Sequence, residues 1–215
     1  MSGVLIVSGT DTGIGKTVVA AGLAAALGSS YWKPVQAGLE DGTDSGRAVS
    51  LGVQDERVLP EAYRLDLPAS PHLAAERQRI DLQDDRLSLP DVRPLIVEGA
   101  GGLMVPIRRA PPHLMIDRFA LWGAPVLLVA RTSLGTINHS LLSIEVLRTR
   151  GVPVAGLLFV GEAHEDNEAT IPALGGVRSF GRLPVLDPLD APTLARAMNE
   201  HIDLSGLRAA IGLGA

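Results

Sequence analysis

Short apolar runs separated by stretches of helical periodicity organise this chain. Val4–Val7, Tyr31–Val35, Leu95–Val97, Val126–Ala130, Val154–Val160 and a weaker Arg178–Gly181 read as strands. The longer runs are continuously apolar instead of alternating, as expected of parallel strands covered on both faces. Helices are predicted at Gly15–Leu27, Asp44–Leu51, Pro71–Glu76, Ile116–Trp122, Thr136–Arg150 and Pro192–His201. This alternation predicts an α/β fold, a single doubly wound, mostly parallel sheet flanked by helices. Residues 54–93 are less regular and carry Pro60, Pro68, Pro71 and Pro90. They are predicted to be an insertion over the carboxyl edge of the sheet, within one domain spanning 1–215. The glycine-spaced end, Leu207–Ala215, is predicted to fray.

The first apolar run breaks into Ser8-Gly9-Thr10-Asp11-Thr12-Gly13-Ile14-Gly15-Lys16-Thr17 and then into an Ala- and Leu-rich helix that stops at Gly28. A strand, a Gly-rich turn ending in Gly-Lys-Thr and a helix make a phosphate cradle. Turn amides and the first helical N–H groups face the anion, the lysine reaches the terminal phosphates and the threonine hydroxyl ligates Mg²⁺. The usual spacing places its first glycine where Thr10 stands; here the glycine is one position earlier, at Gly9. The fold type implied is that of the phosphate-loop NTPases.

Composition narrows the function classes. The chain has 215 residues, 46% hydrophobic and 20% charged, which fits one globular domain with a substantial core. A net charge of −5 opposes a general nucleic-acid binder, while a phosphate loop supplies its positive field locally. The absence of cysteine excludes disulfides, thiolate nucleophiles and Cys-based metal sites. No apolar run approaches the ~20 residues that span a bilayer, and the opening segment reads as a strand and not a signal peptide. A cytoplasmic location is the expectation.

Further chemistry is predicted where strands end, the edge at which open α/β sheets bind ligands. Lys33, in Lys33-Pro34-Val35-Gln36-Ala37-Gly38, reads either as a surface lysine or as a cation aimed at the phosphates. Asp44 reads either as a helix N-cap or as a carboxylate for Mg²⁺. Glu98 closes Pro94-Leu95-Ile96-Val97-Glu98 and is followed by Gly99, Gly101 and Gly102. That is the logic of a strand delivering a carboxylate to the catalytic edge, with glycines that let backbone approach a ligand. Leu134-Gly135-Thr136-Ile137-Asn138-His139 opens a helix after a strand, so it is either an anion site or a helix capped by Ser133 or Thr136. His139 reads as a packing histidine.

Taken together, Gly-Thr-Asp-Thr-Gly-Ile-Gly-Lys-Thr, Lys-Pro-Val-Gln-Ala-Gly, Ser-Pro-His, Val-Glu-Gly-Ala-Gly-Gly and Leu-Gly-Thr-Ile-Asn-His resemble the dethiobiotin synthetase family, in that family's order, from Val4 to about Gly156. The resemblance implies an ATP- and Mg²⁺-dependent ligase of biotin synthesis that joins 7,8-diaminononanoate and CO₂ into a ureido ring. It implies that Gly13, Ile14, Gly15, Lys16, Thr17, Glu98, Gly101 and Gly102 hold the nucleotide, with Thr17, Asp44 and Glu98 around Mg²⁺. Thr12, Lys33 and Ala37 would face the substrate, with Thr12, Lys16 and Lys33 taking part in catalysis. In a homodimer, Gly135, Thr136 and Asn138 of the second subunit would hold the distal carboxylate. Gly13 stands where some members carry Glu, Ala37 where a hydroxyl is common, and Val160 near an adenine-reading Asn. The nucleoside triphosphate implied is ATP, with the base preference left unassigned.

Two rivals share the phosphate loop. Cobyrinic acid a,c-diamide synthases draw ammonia from a glutaminase domain with a cysteine nucleophile, and this chain has neither. Partition and division-site switch ATPases open their loop with Lys-Gly-Gly, where this chain has Gly9-Thr10-Asp11.

Overall fold

The structure is a computed structural model describing residues 2–214, so the Met1 and Ala215 ends of the predicted domain lie outside the described residues. In chain order the first half comprises β1 (Val4–Gly9), α1 (Lys16–Leu27), β2 (Ser30–Trp32), β3 (Val35–Ala37), α2 (Asp44–Ser50), β4 (Val58–Leu59), β5 (Tyr63–Leu65), α3 (Pro71–Gln78) and β6 (Leu95–Gly102). The second half comprises β7 (Pro106–Arg108), β8 (His113–Leu114), α4 (Met115–Trp122), β9 (Val126–Arg131), α5 (Thr136–Thr149), β10 (Val154–Val160), α6 (Glu165–Gly175), β11 (Ser179–Leu183), α7 (Ala191–His201) and α8 (Leu204–Ala210). Seven strands form one parallel sheet in the order β11-β10-β9-β1-β6-β2-β4, the doubly wound arrangement expected from the alternation.

β1 lies between β6 and β9 and is buried along its whole length. Alternate residues pack on opposite faces. Leu5, Val7, Tyr31, Ile96 and Leu127 face α1, α7 and α8, meeting Leu23, Leu194, Met198 and Leu207. Val4, Ile6, Trp32, Leu95 and Val97 face the α4 side, meeting Phe119 and Trp122. Each such fully buried aliphatic side chain is worth about 1.5–3 kcal/mol. This two-sided burial is why the strand runs are apolar without alternation.

Four local expectations are corrected. The run Tyr31–Val35 is two strands, because Pro34 has no N–H to donate to a ladder; β2 stays in the central sheet and β3 pairs with β5 in a separate sheet. β6 continues past Val97 to Gly102, so Glu98 and the glycines after it belong to the strand. α6 went unpredicted because Pro172 interrupts its pattern, although its first turn is acidic and His164 caps it. Most of the segment expected to fray is ordered: α8 is capped by Asp203, and Leu207 and Ile211 are buried against the α1 face.

Residues 54–93 contain a 3₁₀ turn at Asp55–Arg57, the edge strand β4, then β5, α3 and a 3₁₀ turn at Asp85–Leu87. Two tryptophans anchor the segment to the body. Trp32 Nε1 donates to the Pro60 carbonyl at 3.1 Å and Trp122 Nε1 to that of Leu87 at 2.8 Å. Their rings lie 5.9 Å apart in the core. Phe119 packs directly beneath Gly99, where an added Cβ would lie 2.8 Å from its Cζ. Phe119→Ala is expected to lower the unfolding free energy by about 3–5 kcal/mol in urea denaturation, since the ring is fully buried.

Candidate active site

The carboxyl ends of β1, β6 and β2 and the start of α2 meet in a cleft of about 710 Å³. The turn between β1 and α1 forms its floor. Gly15 caps α1 in the left-handed conformation, φ 92°, and a Cβ there would crowd Val160 Cγ1 at 3.1 Å, so this position requires glycine. Lys16 is buried, and its Nζ donates to the Asp11 carbonyl at 2.7 Å, across the mouth of the loop. Burial, then the nearby Lys33 ammonium, holds the Lys16 pKa below its usual value.

Lys33 occupies the break between β2 and β3 and is only 5% exposed, which removes the surface-lysine alternative. Its Nζ lies 2.8 Å from Glu98 Oε1 and 2.6 Å from Asp44 Oδ2. Burial alone would lower its pKa; the two carboxylates overcome this and raise it. Thr17 Oγ1 sits 2.9 Å from Glu98 Oε1 and 3.1 Å from Asp44 Oδ1. The Tyr31 hydroxyl donates to Glu98 Oε2 at 2.6 Å. Burial, then the Glu98 charge, pushes the Tyr31 phenol well above its ordinary pKa, so it keeps the proton it donates.

Asp44 is not the N-cap of α2. Thr43 is, its Oγ1 accepting from Gly46 N at 3.0 Å, which leaves the Asp44 carboxylate facing the cleft. Gln36 aims that helix: its Oε1 accepts from Asp44 N at 3.0 Å and its Nε2 donates to the Gly38 carbonyl at 3.0 Å.

Thr12, Gly13, Gly15, Lys16, Thr17, Lys33, Ala37, Asp44, Glu98 and Gly101 all line this one cleft. Ile14 is turned into the core, 5% exposed, so only its backbone is available to a ligand there. Gly102 lies instead on a neighbouring groove with Thr10, Asp11, Met104 and Leu142. Gly135, Thr136 and Asn138 do not reach the cleft of their own chain. Gly135 is the N-cap of α5, φ 92°, so neither Ser133 nor Thr136 caps it. The buried Thr136 hydroxyl donates to the Arg131 carbonyl at 2.6 Å, while Asn138 is exposed. His139 is exposed too, which corrects its reading as a packing residue.

Thr17, Asp44 and Glu98 are hard oxygen donors within reach of one another, a set that fits Mg²⁺. Among the described residues there is no cluster of three or more His, Cys, Asp or Glu that could hold a metal ion.

A family model described as an AAA domain matches residues 3–193. The ATP-dependent dethiobiotin synthetase of Novosphingobium aromaticivorans is 59% identical over 196 residues, 91% of this chain and 94% of that protein. The protein of the same name from Brucella anthropi is 53% identical over 207 residues, covering 95% and 97%. This chain belongs to the dethiobiotin synthetase family. Solved structures share the fold at much lower identity. A ParA family ATPase from Chlorobium tepidum aligns with TM-score 0.59 at 13% identity over 99% of both chains. The MinC:MinD cell division protein complex of Aquifex aeolicus aligns with TM-score 0.56 at 13% identity, covering 99% of this chain and 97% of that one.

Three residues near the site were given no role of their own by the sequence, although Gln36 lies within Lys33-Pro34-Val35-Gln36-Ala37-Gly38. Tyr31 and Gln36 look like ordinary strand residues until Glu98 and Asp44 are folded against them. Arg131 ends β9, pairs with Asp11 Oδ2 at 2.8 Å, and stands beside a slot of about 360 Å³ adjoining Gly13–Gly15. Val160, Leu183, Pro184, Val185 and Leu186 wall that slot, so it offers an apolar surface with no side-chain amide.

In the free protein, Glu98→Ala leaves the buried Lys33 ammonium only the partly exposed Asp44 as a carboxylate partner and is expected to cost about 3 kcal/mol. Asp44, whose side chain is 31% exposed, is a water-screened partner, so Asp44→Ala is expected to cost about 1 kcal/mol or less. Chemical denaturation of the two variants checks the ranking, and equal losses would refute it.

Proposed function

We propose that this chain is a C–N-forming cyclo-ligase that makes dethiobiotin from 7,8-diaminononanoate, CO₂ and ATP in the cytoplasm. One amine of the diamine adds to CO₂ and loses a proton, giving a carbamate. The carbamate oxygen attacks the γ-phosphorus and ADP leaves, forming a carbamic-phosphoric anhydride. The second amine then attacks the carbonyl carbon, phosphate departs and the ureido ring closes. The observation that carries this reading is the convergence of Lys16, Lys33, Thr17, Asp44 and Glu98 on one cleft that also contains Thr12 and Ala37.

The chain's part is positioning and charge neutralisation, for the sequence of steps needs no enzyme nucleophile. Turn amides from Gly13 to Gly15 and the Lys16 ammonium would hold the β- and γ-phosphates. Lys33, kept charged by its two carboxylates, and Thr12 would orient the carbamate toward the phosphorus. Thr17, Asp44 and Glu98 would hold Mg²⁺, which when bound spreads the charge of the transferring phosphoryl group. In a homodimer, Gly135, Thr136 and Asn138 of the second subunit would close the far end of the substrate site. The groove beside Thr12, where Met104 and Leu142 are 50% and 57% exposed, supports that face as the contact.

Incubation with diaminononanoate, bicarbonate, Mg²⁺ and ATP is expected to yield dethiobiotin and phosphate in equal amounts. Nucleotide turnover indifferent to the diamine, with no ureido product, would sink the reading. Lys16→Ala is expected to lower kcat by about 10²–10³, the scale for losing one preorganised charge-stabilising donor. The apolar slot beyond Gly15 favours base tolerance: kcat/KM for CTP and GTP is expected within about tenfold of that for ATP, the small discrimination of a pocket lacking dedicated hydrogen bonds. A preference for ATP above a thousandfold would show that main-chain groups read the base.

A further inference from the structure

Resting on the reading of the cleft as a Mg²⁺–nucleotide site, we propose that Tyr31 is a positioning residue for Glu98. Its hydroxyl pins Oε2 on the core side, so that Oε1 is the oxygen presented to Thr17, Lys33 and the cation.

The geometry runs through the strand register. Tyr31 on β2 stands opposite Ile96 on β6, and Glu98 is two residues further along the same face. A tyrosine can span that diagonal. Lys33, two residues after Tyr31, approaches the same carboxylate from the same edge. β2 and the residue just after it therefore send two donors to one carboxylate, the phenol to Oε2 at 2.6 Å and the ammonium to Oε1 at 2.8 Å. Thr17 also meets Oε1, at 2.9 Å.

Packing gives the hydroxyl no other task. Tyr31 is fully buried, and its ring shares a cluster with Leu5, Val7, Leu23 and Ile96, which a phenylalanine would fill equally well. A buried hydroxyl requires a partner, and this one has Glu98 Oε2. The terminal torsion of a glutamate is broad and roughly two-fold, so an untethered carboxylate exchanges its oxygens freely. Fixing one oxygen from behind removes that freedom before the cation arrives. Preorganisation of this kind raises affinity by cutting the cost of ordering on binding.

The test is Mn²⁺ titration, followed by electron paramagnetic resonance, into the full-length protein saturated with the non-hydrolysable ATP analogue adenylyl imidodiphosphate. No diaminononanoate is present, so the result stands apart from whether dethiobiotin is the product. Tyr31→Phe is expected to raise the Mn²⁺ Kd about 10- to 150-fold, the range for losing one hydrogen bond to a charged group. The metal-free affinity for the analogue is expected to stay within twofold. Because Tyr31 acts through Glu98, Tyr31→Phe combined with Glu98→Gln is expected to bind Mn²⁺ no more weakly than Glu98→Gln alone. p-Aminophenylalanine at position 31, a weaker donor of the same shape, is expected to give an intermediate Kd and covers the case in which the phenylalanine variant does not fold. A lowered Tm with Mn²⁺ affinity within twofold of the parent would mark the hydroxyl as merely structural and overturn the proposal. Additive losses in the double variant would overturn it as well.

Discussion

A buried carboxylate that one strand, the link after it and a helix together neutralise governs this molecule. Glu98 is 1% exposed at the middle of the sheet, where an unpaired charge would cost several kcal/mol. Lys33, Thr17 and Tyr31 each direct a polar hydrogen at it, and Asp44 shares Lys33 and Thr17 with it. Those groups arrive from α1, from α2 and from the one stretch that carries both Tyr31 and Lys33. The turn that frees Lys33 from the β2 ladder, the cap that leaves Asp44 unused by its own helix, and the register that sets Tyr31 beside Ile96 are all needed together. The cleft is thus a consequence of satisfying one charge in a low-dielectric place.

The same requirement makes the free protein's site self-contained. Lys16 bonds the Asp11 carbonyl and Lys33 bridges two carboxylates, so neither ammonium faces the cleft without a partner. Phosphates would enter an electrostatic arrangement that is already built, and little rearrangement of charge would be needed at the moment of phosphoryl transfer.

The fold itself says less. The same overall fold is shared, at 13% identity, with a ParA family ATPase and a MinC:MinD cell division protein complex. Function lies in what the strand ends carry. Here Lys33 directly follows β2, β6 carries Glu98, and the first turn of α2 holds Asp44 at the cleft. The family membership rests on identities above 50% over more than nine-tenths of the chain.

The sequence by itself determined the parallel sheet, because strands buried on both faces must be apolar throughout and that pattern is visible without coordinates. It also determined the Gly-rich turn and the helix start that follow β1, since Gly13, Gly15, Lys16 and Thr17 are consecutive or nearly so and their geometry is local. Lys33, Asp44 and Glu98 were legible as candidates by their places after strands, but Lys33 and Asp44 each kept a bland alternative, removed only by the burial of Lys33 and the capping of α2 by Thr43. Tyr31, Gln36 and Arg131 were not legible, nor were the break at Pro34 and the capping of α2 by Thr43 instead of Asp44. Tyr31 and Arg131 depend on partners far along the chain: Tyr31 and Glu98 are 67 residues apart, and Arg131 and Asp11 are 120 apart. Local propensity carries no information about such pairs; only the register of the packed strands brings them together.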